Sequence, residues 1–151
     1  MDYKELMQQA IKLAKEAAVK GDVPVGALVV DDFGNVVGQG ANLREQDNDP
    51  TGHAEIVAIR NAAKKMGNYR LDDLTLVVTL EPCGMCAGAI AQSRIKRLVF
   101  GCYNLKHGAV GSVWDFLRDE RSIHQIEVIS GVMIHECSYI LKNFFGILHE
   151  K

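Results

Sequence analysis

Long apolar runs are missing from this chain, and so is a strong excess of either charge. No uninterrupted apolar stretch approaches the roughly 20 residues needed to cross a bilayer as a helix, so no membrane association is expected. The formal net charge of −2 supplies no global attraction to nucleic acid. Any such role needs a local basic patch instead. Met1-Asp2-Tyr3-Lys4-Glu5 lacks the basic stretch and apolar stretch of a secretory signal. No linker rich in Gly, Pro or Ser, no repeat and no low-complexity tract divides the sequence, and one domain over residues 1–151 is expected. With no export signal, the 4 cysteines point to metal binding in a reducing cytoplasm rather than to disulfides.

What is present is a succession of short buried strands and amphipathic helices. Leu6, Ala10, Ile11, Ala14, Ala17 and Ala18 recur at helical spacing, with Asp2 and Glu5 as a capping box and Gly21 as the stop. Val25–Val30 and Val36–Ala41 read as strands of a hairpin, joined by the turn-rich Asp31-Asp32-Phe33-Gly34-Asn35. Asn42 to Pro50 reads as loop. Thr51 is a natural N-cap for a helix running to Gly67. Leu74–Leu80 reads as a strand covered on both faces, and Pro82 as the first residue of a helix reaching Ser93. Arg97–Cys102 and Ile126–Ser130 read as strands, Val113–Leu117 as a short helix, and Val132 to His149 as the closing helix. Strands alternating with helices predict an α/β domain, with a mixed five-stranded sheet covered on both faces. The pairing of the last strand stays open.

Within this frame, His53-Ala54-Glu55 is followed thirty positions later by Pro82-Cys83-Gly84-Met85-Cys86. One imidazole and two thiols at this spacing form a zinc site. Three protein ligands leave one tetrahedral position open for an activated water. Cys83 and Cys86, three apart, share one helix face. On this reading His53 and Cys83 lie in the first turns of two helices, whose positive ends favour thiolate at both cysteines. Glu55, two residues beyond His53, is better placed to carry protons than to bind metal. A closed structural site would need a fourth ligand from Cys102, Cys137, His107, His124, His135 or His149. None of these forms a second local pair, and both cysteines read as core thiols.

The His-x-Glu and Pro-Cys-x-x-Cys pair is the signature of the zinc-dependent nucleobase deaminases. The likeness extends over nearly the whole chain. It runs through Val23-Pro24-Val25-Gly26-Ala27, Asn48-Asp49-Pro50-Thr51-Gly52, Asn68-Tyr69-Arg70-Leu71, Val78-Thr79-Leu80-Glu81, Gly108-Ala109-Val110-Gly111-Ser112 and Asn143-Phe144-Phe145. In these stretches the sequence resembles the bacterial tRNA-specific adenosine deaminases, within the cytidine/deoxycytidylate deaminase superfamily. That resemblance implies a three-layer α/β/α cytidine-deaminase-like fold and a homodimer. It implies one Zn²⁺ per subunit, no organic cofactor, and hydrolysis of adenosine to inosine at the wobble position of a tRNA anticodon arm. Carried across, His53, Cys83 and Cys86 bind zinc and Glu55 shuttles protons. Asn42 hydrogen-bonds the base, and Ala54 lines the pocket through its backbone. Arg44, Asn104, Lys106 and Phe145 hold flanking nucleotides, and His107 joins Lys106 and Arg44 as a candidate for phosphate contact.

Three positions depart from the relatives' usual pattern. Gly84 stands where an apolar residue is common, Gly52 where Ala is common, and Asn104 where Asp is common. An amide both donates and accepts, whereas a carboxylate only accepts and repels phosphate. A softer preference for RNA over DNA is therefore expected. Two other functions remain compatible with the motifs. One is a small-molecule guanine or cytosine deaminase of the same superfamily. The other is a non-catalytic RNA-binding subunit with structural zinc, against which the intact Glu55 argues.

Overall fold

In a computed structural model that describes residues 1–122 and 124–146, the chain folds around one sheet of five strands. These are β1 (Gly26–Val30), β2 (Val36–Ala41), β3 (Thr75–Leu80), β4 (Arg97–Cys102) and β5 (Glu127–Ile129), in the order β2-β1-β3-β4-β5. β1 pairs antiparallel with β2 and β3, while β3–β4 and β4–β5 are parallel. The pairing left open by the sequence is thus a parallel one, reached by a crossover. The helices are α1 (Tyr3–Val19), α2 (Arg44–Asp47), α3 (Ala54–Met66), α4 (Gly84–Gln92) and α5 (Ile134–Phe144).

Period-two alternation sends the side chains of each central strand into two cores. Leu28, Val30, Val77 and Val99 meet α1 and α5 through Leu6, Met7, Ala10, Ile11 and Cys137. Val29, Leu76, Val78, Leu98 and Phe100 meet α3 and α4 through Ala54, Ala58, Ala62, Ala87 and Ile90. The result is the expected α/β/α sandwich around a mixed sheet. Each fully buried Leu, Ile or Phe removes enough apolar surface to contribute about 1.5–3 kcal/mol. α1 begins as its sequence predicts, with the Asp2 carboxylate accepting the Glu5 amide at 3.1 Å. Met7 is fully buried and takes the place on the stripe expected for Ala18.

Close approach on the α3 side explains two glycines. A Cβ on Gly38 would lie 2.5 Å from the Ala62 nitrogen, and one on Gly40 would lie 2.7 Å from the Ala58 nitrogen. With alanine at 54, 58 and 62 on the facing stripe, α3 rests almost directly on the β2 backbone. Its N-terminus is thereby fixed at one end of the sheet.

Three expectations need correction. The segment after β2 contains α2, closed by Asn48 in the left-handed region at φ 50°. Four polar residues show no periodicity; what holds this turn is Asp22, whose carboxylate accepts the Glu45 and Gln46 amides at 2.9 and 3.3 Å. Residues 113–117 are not helical. Gly111, at φ 125°, reverses the chain so that Val110 bridges Asp115 and the Phe116 amide reaches the Ala109 carbonyl at 2.9 Å. The last helix starts at Ile134, after Met133 in the left-handed region, and ends at Phe144. Its expected extension from residue 147 to His149 lies outside the described residues.

The topology gathers one end of the sheet into a site. β1 starts where β2 and β3 finish, because both pairings are antiparallel, and β4 finishes beside β3, with Leu80 opposite Cys102. Segments leaving β2, β3 and β4 therefore converge. Ligand sites in α/β sheets form at such carboxyl ends.

Candidate metal centre

His53 and Cys83 each occupy the N-cap of a helix, α3 and α4 respectively, rather than its first turn. Thr51 does not cap α3; its hydroxyl and amide are both donated to the Asp49 carboxylate, at 2.8 and 2.9 Å. Pro82 likewise precedes the cap of α4, and Gly84 is the first helical residue. The physical reason is backbone direction. His53 (ψ 150°) and Cys83 (ψ 178°) are extended, which turns their side chains across the helix end instead of along its flank. Neither makes a side-chain capping bond to its own helix, so both are free to act as ligands.

The imidazole Nδ1 of His53 stands 3.6 Å from Cys83 Sγ and 3.5 Å from Cys86 Sγ. Zinc–sulfur bonds of about 2.3 Å and zinc–nitrogen bonds of about 2.0–2.1 Å at a tetrahedral angle place N and S about 3.6 Å apart. Both nitrogen–sulfur distances therefore match a zinc site, and the three ligand atoms lie within 4.8 Å of one another. No fourth His, Cys, Asp or Glu joins them among the described residues. Cys102 and Cys137 lie in the core on the α1/α5 side of the sheet. His124 Nε2 is engaged at 2.8 Å by the Ile95 carbonyl. His149 lies outside the described residues. Two thiolates and a neutral imidazole balance a divalent ion, and soft sulfur donors suit zinc. The donor set fits the metal that the motif predicts.

Without a metal, the two thiols compete for one proton. A hydrogen bond from Cys86 holds Cys83 far below the usual thiol range, at about 3, and Cys86 is pushed up in turn by that bond and by burial. The His53 imidazole is raised chiefly by its hydrogen bond with Cys83. Glu55, only 4% exposed, is raised by burial to about 7.

His53, Glu55 and Cys83 line the floor of a pocket of about 510 Å³, the size of small-molecule sites. Asn42, Arg44, Asn104, Lys106 and Phe145 all line it, together with His107. Ala54 does not. It is fully buried, and its amide is donated at 2.8 Å to Asn42 Oδ1. Ala54 thus holds Asn42 in place, and the half of the Asn42 amide left for a ligand is its NH₂. In Asn104 the oxygen is similarly engaged, accepting the His107 amide at 3.1 Å. Tyr103, Leu80, Val25 and Glu81 also line it, though the sequence did not mark them as site residues. Glu81 had one visible signal, a charge directly after an apolar strand. Gly84 finds a packing reason, since a Cβ there would meet the Phe116 ring at 3.1 Å.

The cytidine and deoxycytidylate deaminase zinc-binding region matches residues 1–102. A tRNA-specific adenosine deaminase of Haemophilus influenzae is 54% identical over 141 residues, 93% of this chain and 82% of that protein. A solved structure from biochemical and structural studies of A-to-I editing by tRNA:A34 deaminases at the wobble position of transfer RNA superposes with a TM-score of 0.86. It is 41% identical, over 89% of this chain and 97% of that one. A guanine deaminase of Bacillus subtilis superposes with a TM-score of 0.64 at 40% identity, over 68% of this chain and 66% of that one.

Proposed function

This chain belongs to the cytidine and deoxycytidylate deaminase family, and we propose that it hydrolyses adenosine to inosine at the wobble position of a tRNA anticodon, releasing ammonia. One observation carries the reading: a cluster of three metal ligands, with a buried carboxyl beside it, opens onto a pocket rimmed by Arg44, Lys106 and His107. A guanine pocket needs no such basic rim. The identity to the Haemophilus influenzae deaminase extends over 93% of this chain, well beyond the metal motifs.

His53, Cys83 and Cys86 would hold a zinc ion, which would supply the Lewis acid that makes water nucleophilic near neutral pH. Glu55 would accept the proton given up by the attacking water and deliver it to the adjacent ring nitrogen of adenine; it would then take the proton of the newly added hydroxyl, which becomes the carbonyl of inosine, and pass it to the departing amine. The NH₂ of Asn42 donates to an acceptor on the purine edge and sets which carbon faces the attack. The target base must leave its stack to enter, which favours a splayed loop nucleotide. Arg44, Lys106 and His107 meet the flanking phosphates, and Phe145 and Tyr103 offer aromatic faces for neighbouring bases.

The protein acts as a homodimer in the cytoplasm. Trp114 and Phe116 stack with ring centroids 6.0 Å apart, Phe116 lies against Gly84 at the start of α4, and both rings and Met85 are exposed apolar groups. Such groups are suited to contact with a second copy of the chain. Among the described residues, no helix is long and apolar enough to cross a membrane.

The test is a direct product assay. An anticodon stem-loop with adenosine at the wobble position should yield inosine and stoichiometric ammonia, and free guanine and cytidine should yield neither. Ammonia from guanine with an unchanged stem-loop would overturn the reading in favour of a small-molecule deaminase. Zinc-replete protein inert on all three would leave a binding subunit.

A further inference from the structure

Glu81 fills the single position between the end of β3 and Pro82, and it is 1% exposed. A carboxylate so placed requires donors aimed at both oxygens. Four converge on it, all from the segment 104–112. Oε1 accepts the Asn104 amide at 3.1 Å and the Ser112 hydroxyl, while Oε2 accepts the Val110 amide at 3.0 Å and the Ser112 amide at 3.1 Å. The segment passes directly over the carboxylate at Gly108, where a Cβ would lie 2.4 Å from Oε2. A second attachment is made by backbone alone. The Ala109 amide reaches the Pro82 carbonyl at 2.9 Å, and Gly108 forms an antiparallel bridge with Cys83.

The two attachments divide the labour. The backbone contacts clamp the middle of the segment to the start of α4. The Glu81 side chain ties down its two ends, 104 and 110–112. Between those ends stand Asn104, Lys106 and His107, which form one wall of the pocket.

We infer that Glu81 is a positioning residue for the substrate. Its carboxylate sets where Asn104, Lys106 and His107 stand over the pocket, and hence how nucleotides flanking the target are gripped. The inference rests on the RNA reading above. It predicts that disturbing the carboxylate weakens grip on the substrate without disturbing the metal ligands, because the Pro82–Ala109 bond and the Cys83–Gly108 bridge do not involve it.

Glu81→Gln keeps the side-chain length but turns one acceptor into a donor; with its NH₂ at the Oε1 position the Ser112 hydroxyl can turn to accept, and the Asn104 amide is left facing a donor. Zinc content should stay at one per chain. KM for the anticodon stem-loop should rise roughly tenfold while kcat changes by less than about threefold, the signature of lost binding rather than lost chemistry. Amide hydrogen exchange at Asn104, Val110 and Ser112 should quicken while exchange in α4 does not. Ser112→Ala, which removes one donor and leaves the carboxylate intact, should shift KM in the same direction by about twofold to threefold. It serves as the measurement if Glu81→Gln does not fold. An unchanged KM, or a fall in kcat accompanied by zinc loss, overturns the inference. If the wild-type protein forms no inosine in the stem-loop, the proposed function fails instead. Unchanged amide exchange in Glu81→Gln would then still refute an ordering role for this carboxylate.

Discussion

The floor of the pocket and its rim are built on opposite plans. On the floor, two helix ends present His53, Cys83 and Cys86 from backbone fixed by the cores, and α3 is pressed onto β2 at Gly38 and Gly40. At the rim, Arg44 rides on the single turn of α2, and Asn104 and Lys106 ride on an irregular segment. Each rim segment is held by one buried carboxylate that arrives from elsewhere in the chain, Asp22 for the first and Glu81 for the second. The difference teaches where tolerance lies. On the proposed function, the floor would determine whether reaction occurs, and the rim what is held and how tightly.

That contrast breaks most completely at the ligands. Cys86→Ala should abolish zinc binding, measured by metal analysis, and bring inosine formation below detection. It should also lower thermal stability, because the free energy of metal binding is part of the stability of the folded chain. Glu55→Ala sharpens the contrast within the floor itself. Zinc content should be retained while turnover falls roughly 10²–10⁴-fold, the usual contribution of a positioned acid–base group. Substantial activity in that variant would refute the assigned role. At the rim, Asp22→Ala removes the acceptor for the Glu45 and Gln46 amides and the Gln46 side chain. It should destabilise the fold by about 1–3 kcal/mol in a denaturant titration, with full zinc and a raised KM. The smallest effect is expected for Asn104→Asp. The oxygen of either side chain can accept the His107 amide, so the change is confined to the group facing the pocket, where NH₂ becomes a second oxygen. The ratio of RNA to DNA deamination rates should shift toward RNA by no more than about fivefold, the scale of a single exposed charge contact. An unchanged ratio would rule out Asn104 as a determinant of that preference.

Sequence pattern carried the floor well and the rim poorly, and the reason is physical. Strands β1, β3 and β4 announce themselves through runs of Val, Leu and Phe, and the Cys-x-x-Cys spacing is a local property of one helix. Cap preference, by contrast, pointed to Thr51, because hydroxyls ordinarily satisfy helix amides. The chain instead places His53 there, where an extended backbone serves the metal. The roles of Asp22 and Glu81 are harder to read because most of their partners are main-chain amides, which have no signature in side-chain pattern. α2 has no apolar face to betray it, and the turn at Gly111 replaces the short helix expected for residues 113–117. The orientation of Asn42 required coordinates as well, since its partner is the amide of Ala54 rather than another side chain.

That last bond has a mechanical consequence. Asn42, which would grasp the purine, is anchored to the residue flanked by His53 and Glu55, the metal-side nitrogen and the proton carrier. Gripper, ligand and acid thus travel as a single rigid body. When the surrounding loops breathe to admit or release a nucleotide, the spacing between the atom under attack and the groups that transform it is preserved.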